Sequence, residues 1–107
     1  MKYVHIGGDS VPLQGGAWST VLYDREFGSD GGFFNDLQKG VNPVFLLKAA
    51  WSMARSFDDK FPNFEDWVKS LDVSELSMQT NAPWTQEVIS VLNAETFRSS
   101  ESTEKGE

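Results

Sequence analysis

The stretch Asn42-Pro43-Val44-Phe45-Leu46-Leu47-Lys48-Ala49-Ala50-Trp51-Ser52-Met53-Ala54-Arg55 decides the fold class. Asn42 can accept hydrogen bonds from the free amides that open a helix, and Pro43 fits the first helical turn, where no amide partner is needed. Val44, Leu47, Trp51 and Ala54 then recur on one face at helical spacing. A helix over about residues 43 to 57 follows, and a chain organised around it is mostly α.

Toward the C-terminus, Pro62-Asn63 resets the chain. Phe64, Trp67, Val68 and Leu71 then repeat at i, i+3, i+4 and i+7, and Glu65 and Asp66 complement the amino-terminal dipole of a helix from about 64 to 71. Ser74 caps a short turn through Met78. Pro83 opens a last helix whose stripe is Trp84, Val88, Val91 and Leu92, ending near Phe97. Residues 99 to 107 contain nothing apolar, so burial cannot offset their ordering entropy, and they are expected to form a disordered acidic tail.

Toward the N-terminus, Trp18, Val21 and Leu22 follow the i, i+3, i+4 pattern in a helix from Ala17 to Phe27 that Gly28 stops. Residues 28 to 32 read as a loop, and Phe33, Phe34 and Leu37 as a short helix ending at Gly40. At the front, residues 3 to 6 and 11 to 13 flank the turn formers Gly7-Gly8-Asp9-Ser10 as a small hairpin. Pro12 makes the second run an edge strand. The expected architecture is a single domain over residues 1 to 98, a compact bundle of four to six helices preceded by a short β-hairpin.

The composition removes several classes of function. With 9 basic against 16 acidic residues the net charge is −7, which repels phosphate backbones and anionic lipids, so neither nucleic acid nor membrane is an expected partner. There is no cysteine, hence no disulfide framework, thiolate nucleophile or thiolate metal site. No window approaches the roughly 18 apolar residues of a spanning helix, and the start lacks the apolar stretch of a signal peptide. A soluble, cytoplasmic protein is expected.

Catalytic patterns are equally sparse. His5, the single histidine, lies in a strand without a recognisable nucleophile arrangement. Asp24, Glu26 and Asp30, or Asp58 and Asp59, lack the ordered ligand spacing of a calcium loop and read as solvated acids. Gly28, Gly31 and Gly32 are not followed by the Lys-Ser or Lys-Thr of a phosphate loop and instead supply turn geometry. A carboxylate pair for glycoside hydrolysis needs a substrate cleft that so short a chain hardly offers. The chain is read as non-enzymatic, with no catalytic, cofactor or metal residues. Trp18, Trp51, Trp67 and Trp84 are either core rings or interface anchors. Four Trp with eight Phe is much bulk for one small interior, so a partner or a second copy is expected to cover some of it.

Three blocks carry a family resemblance. Tyr23-Asp24-Arg25-Glu26-Phe27-Gly28-Ser29-Asp30 is similar to the Tyr-x-Arg-Glu-Phe-Gly-x-Asp run in tail assembly chaperones of long-tailed phages of Gram-positive bacteria, where it follows an amino-terminal hairpin. Residues 46 to 55 resemble that family's Leu-x-x-x-x-Trp-x-Met-Ala helix, and Pro62-Asn63-Phe64-Glu65-Asp66-Trp67-Val68 its Pro-x-Phe-x-x-Trp-Leu segment. With Glu87-Val88 and Phe97-Arg98 the likeness spans roughly residues 3 to 98. It departs at Gly31-Gly32, where the family's helix continues, and at Val68, where Leu is usual.

The resemblance implies a protein that binds the aggregation-prone tape measure protein while the major tail protein polymerises around it, and that is absent from the finished virion. It also implies a longer product made by ribosomal frameshifting near the end of the reading frame. Such a chaperone needs an apolar surface with a charged periphery rather than an active site. Trp18, Leu22, Phe27, Phe33 and Phe34 are the candidate partner-binding residues, and self-association is a further possibility. The alternatives are a structural virion protein of the head-completion or tail-terminator type, and an acidic inhibitor that mimics nucleic acid. The last needs its acids on one face, whereas here they are spread along the chain.

Overall fold

A helix that is buried on nearly every side must lie inside a domain rather than on it. That is the position of the helix from Pro43 to Phe57 in the computed structural model, which describes residues 1–28, 32–72, 74–77 and 82–97. The elements in order are β1 (Lys2–Ile6), β2 (Asp9–Leu13), α1 (Ala17–Phe27), α2 (Phe33–Lys39), α3 (Pro43–Phe57), α4 (Phe64–Ser70) and α5 (Pro83–Val91). A π-helical turn, Leu92–Phe97, follows α5 directly. Among the described residues the protein is therefore mostly α, five helices behind an amino-terminal antiparallel hairpin.

α3 begins as its sequence dictates: the Asn42 side chain accepts from the Phe45 amide at 2.9 Å, and Pro43 occupies the first turn. Its burial is broader than the single face read from periodicity. Phe45 to Leu47 and Ala49 to Ala54 are all buried, because β2, α1, α2 and α5 pack around it. Val44, expected on the inward face, is 51% exposed at the helix start, before the surrounding elements close over it. The buried Ser52 hydroxyl donates to the Lys48 carbonyl at 2.9 Å, so no polar group is stranded there.

The hairpin turn is tighter than expected. Gly7 and Gly8 take φ of 57° and 86°, which lets two residues reverse the chain, and Asp9 and Ser10 belong to β2. Val4, Ile6, Val11 and Leu13 face the core. The turn docks on the segment after α4: the Asp72 amide donates to the Gly7 carbonyl at 2.9 Å. A side chain at Gly7 would meet Leu71 Cβ at 2.9 Å, so backbone and packing both require glycine.

α4 is capped by Asn63, which accepts from the Asp66 amide at 2.8 Å, and Trp67 and Leu71 are buried as the periodicity requires. The helix stops at Ser70, with Leu71 already extended. Trp84, Val88, Val91 and Leu92 are all buried, matching the expected stripe. Beyond Val91 the helix widens instead of continuing regularly. This turn presents Glu95 Oε1 to the Gly15 amide at 2.9 Å and Thr96 Oγ1 to the Gly16 amide at 3.2 Å, tying the end of the domain to the link between hairpin and α1. Glu95 Oε2 also lies 3.2 Å from the Met1 ammonium. The expected tail, residues 99 to 107, lies outside the described residues, as do Met78 and positions 29 to 31 of the expected loop.

Candidate interaction surface

α1 sets the surface, and it does so by burying the face opposite to its most obvious apolar stripe. At 100° per residue, Ser19, Tyr23 and Phe27 share one side, and Trp18, Val21, Leu22 and Arg25 share the other. Ser19 and Tyr23 are buried and Phe27 is half-buried, whereas Trp18 is 49% and Val21 40% exposed. Leu22 is intermediate.

The choice of face follows from what Tyr23 and its neighbours do inside. The Tyr23 ring lies edge-on to Phe27 and Phe33 at centroid distances of 5.0 and 5.3 Å, and 5.9 Å from Phe45. Its hydroxyl donates to Asp36 Oδ2 at 2.6 Å, so the buried phenol is satisfied. Burial first, and then the Asp36 carboxylate, push its pKa far above the ordinary tyrosine value.

Asp24 completes the link from α1 to α2. Its Oδ1 accepts from the Phe33 amide at 2.7 Å, capping α2 from outside its own segment. Gly32 makes room with φ +90°; a Cβ there would fall 2.5 Å from Asp24 Oδ1. Asp24 thus serves as a helix cap. Among the described residues no three His, Cys, Asp or Glu side chains gather as a metal site.

The five candidate residues do not form one surface. Phe33 is 3% exposed and joins the core, because the Asp24 cap and the Tyr23 ring draw the start of α2 inward. Phe27 is half-buried, 5.6 Å from Trp51 and 4.9 Å from Phe64, with the Lys48 ammonium 5.2 Å from its ring. Trp18 and Leu22 remain on the outer side of α1, and Phe34, on the adjacent α2, is 58% exposed.

Sequence reading missed Val21 and Arg25 as members of this outer face. The Arg25 guanidinium lies 5.0 Å from the Trp18 ring centroid, a cation–π contact in the open. The signal was present, since Arg25 sits one heptad after Trp18 on the Trp18-Val21-Leu22 stripe. On the other side of α1, where Tyr23 lies, a shallow cavity opens between α1, α2 and α3, walled by Tyr23, Asp36, Lys39, Val44, Phe45 and Lys48. The Asp36 carboxylate there is already engaged by Tyr23.

Phe27, Trp51 and Phe64 meet in one cluster, with Trp51 and Phe64 centroids 6.3 Å apart and Trp51 Nε1 donating to the Pro62 carbonyl at 2.9 Å. Each of the three sequence blocks contributes one of these rings. His5 is exposed on β1, and no helix among the described residues is long and apolar enough to cross a membrane. Comparisons of the chain with protein-family models, with curated proteins and with solved structures give no match.

Proposed function

We propose that this protein is a phage tail assembly chaperone that binds the tape measure protein in the host cytoplasm and assists tail tube assembly without enzymatic chemistry. The reading rests on the ordered resemblance of three sequence blocks. One observation makes them a unit: Phe27, Trp51 and Phe64, one from each block, share an aromatic cluster that joins α1, α3 and α4. The contact in space makes the three blocks parts of one packed unit.

The exposed apolar side chains fit the same role. Trp18 and Val21 on α1, with the partly buried Leu22 beside them, and Phe34 on α2 offer ring and aliphatic surface, and the net charge of −7 keeps a loaded complex soluble. Phe27 and Phe33 act from beneath, holding α1 and α2 in place. The test is co-expression with the tape measure protein of the same phage, followed by pull-down and by a search for this chain in purified particles. Soluble co-purification without incorporation supports the chaperone. An unbound, insoluble tape measure protein, with this chain present in particles, assigns it instead as a structural virion component.

A further inference from the structure

The cavity between α1, α2 and α3, with a volume of about 360 Å³, is rich in hydrogen-bond donors that lack acceptors. Lys39 enters its wall from the last turn of α2 and Lys48 from the second turn of α3. Among the described residues no carboxylate lies within ion-pair distance of either. The Lys48 ammonium has only the Phe27 ring, 5.2 Å away at its centroid. Asn42, also on the wall, uses its side-chain oxygen to cap α3 at the Phe45 amide, and its own N–H donors have no acceptor among the described residues. Asp36, the one carboxylate on the wall, already accepts from the Tyr23 hydroxyl at 2.6 Å. Two ammonium groups thus border one carboxylate, the reverse of the chain's net charge of −7.

A wall with spare donors is completed by an anion, and the remaining lining sets what the anion is attached to. The Tyr23 ring and Phe45 are buried apolar surface, and Val44 is exposed at the edge. We propose that this cavity is a recognition site for an acidic side chain of a partner protein, a Glu or Asp flanked by apolar residues, with its carboxylate taken by Lys39, Lys48 and the Asn42 amide.

Asp36 disfavours a doubly charged phosphate more strongly than a singly charged carboxylate. The shallowness of the cavity favours a side chain over a free molecule, because sites for small ligands enclose most of their ligand, whereas a partner protein makes its other contacts outside. Charges beyond about 8 Å are largely screened at physiological salt, so the wall rather than the net charge sets the local field. The site lies across α1 from Trp18 and does not rest on the chaperone reading.

NMR of the isotopically labelled full chain tests this with two blocked tripeptides as probes, acetyl-Leu-Glu-Leu-amide and acetyl-Leu-Gln-Leu-amide, which differ in charge alone. The glutamate peptide is expected to shift the resonances of Lys39, Asn42, Val44 and Lys48 saturably, with a Kd on the order of a millimolar, and the glutamine peptide to bind about tenfold more weakly. Added salt weakens the glutamate peptide and leaves the other unchanged. Lys39→Gln combined with Lys48→Gln removes the preference, with circular dichroism as the check of folding. Lys39→Gln alone, at an exposed position, lowers it about threefold. Equal affinity for the two peptides, shifts that map elsewhere, or a preference that survives both substitutions would overturn the proposal. Free phenylacetate binding as tightly as the glutamate peptide would overturn the assignment to a partner side chain and place a small carboxylate there instead.

Discussion

Tyr23→Phe isolates one hydroxyl, and its effect has a pH signature that a packing change would not produce. The ring is fully buried and its hydroxyl donates to Asp36 Oδ2 at 2.6 Å. Losing a hydrogen bond to a charged acceptor costs about 1.5 to 2 kcal/mol, the lower part of the usual range because the partly exposed Asp36 regains water. At roughly 4 to 8 °C per kcal/mol for a domain of this size, the melting temperature falls visibly at neutral pH.

Burial and Asp36 raise the folded-state pKa of Tyr23, while the phenol of an unfolded chain ionises near 10. The stability carried by this proton is therefore complete below about pH 10 and is lost as the pH rises beyond it, at about 1.4 kcal/mol per pH unit. The Tyr23→Phe protein has nothing of this kind to lose. The wild-type advantage should shrink above about pH 10 and close near pH 11. Urea unfolding of both proteins at neutral pH and at about pH 9, 10 and 11 measures the difference directly, and lysine titration, common to both, cancels. A difference that is constant across this range, or absent at neutral pH, refutes the assignment of the hydroxyl as a satisfied, proton-retaining group.

Gly15→Ala places a Cβ 2.6 Å from Thr96 Oγ1 and 2.9 Å from Glu95 Cβ, so the π-helical turn must move. A loss of about 1 to 3 kcal/mol in denaturant unfolding is expected. Asp24→Ala removes the cap on α2 and costs about 1 kcal/mol, and Gly32→Ala costs more than that in the wild type. Part of the Gly32→Ala cost is the clash with the Asp24 carboxylate, so a double-mutant cycle should show it cheaper in the Asp24→Ala background. Trp51→Phe removes the donor to the Pro62 carbonyl, whereas Trp67→Phe removes a buried indole N–H that has no partner among the described residues. Thermal melts should therefore find Trp51→Phe the more damaging by about 1 kcal/mol.

Much of this architecture is written in local chemistry. Asn42-Pro43, Pro62-Asn63 and Pro83 start α3, α4 and α5, because each supplies a cap or fits a first turn regardless of distant contacts. Gly7-Gly8 likewise closes the hairpin on backbone grounds. The candidate surface was harder to read. Both sides of α1 carry apolar residues, and the inward side is chosen by bonds from Tyr23 to Asp36 and from Asp24 to the Phe33 amide, across 13 and 9 residues. Periodicity finds a stripe but not which stripe is covered. The widening after Val91 was illegible for the same reason, since Glu95 and Thr96 reach Gly15 and Gly16 across 80 residues.

We propose that exposed apolar side chains of α1 and α2 shield a tape measure protein. The most direct test is the fraction of that protein recovered soluble on co-expression with the wild-type chain and with a Trp18→Asp/Phe34→Asp variant. Both substituted positions are largely exposed, so the variant should keep its fold and melting behaviour. A soluble complex is expected with the wild type, and beside the folded variant a tape measure protein that precipitates. Equal solubility with both chains, or none with either, contradicts it.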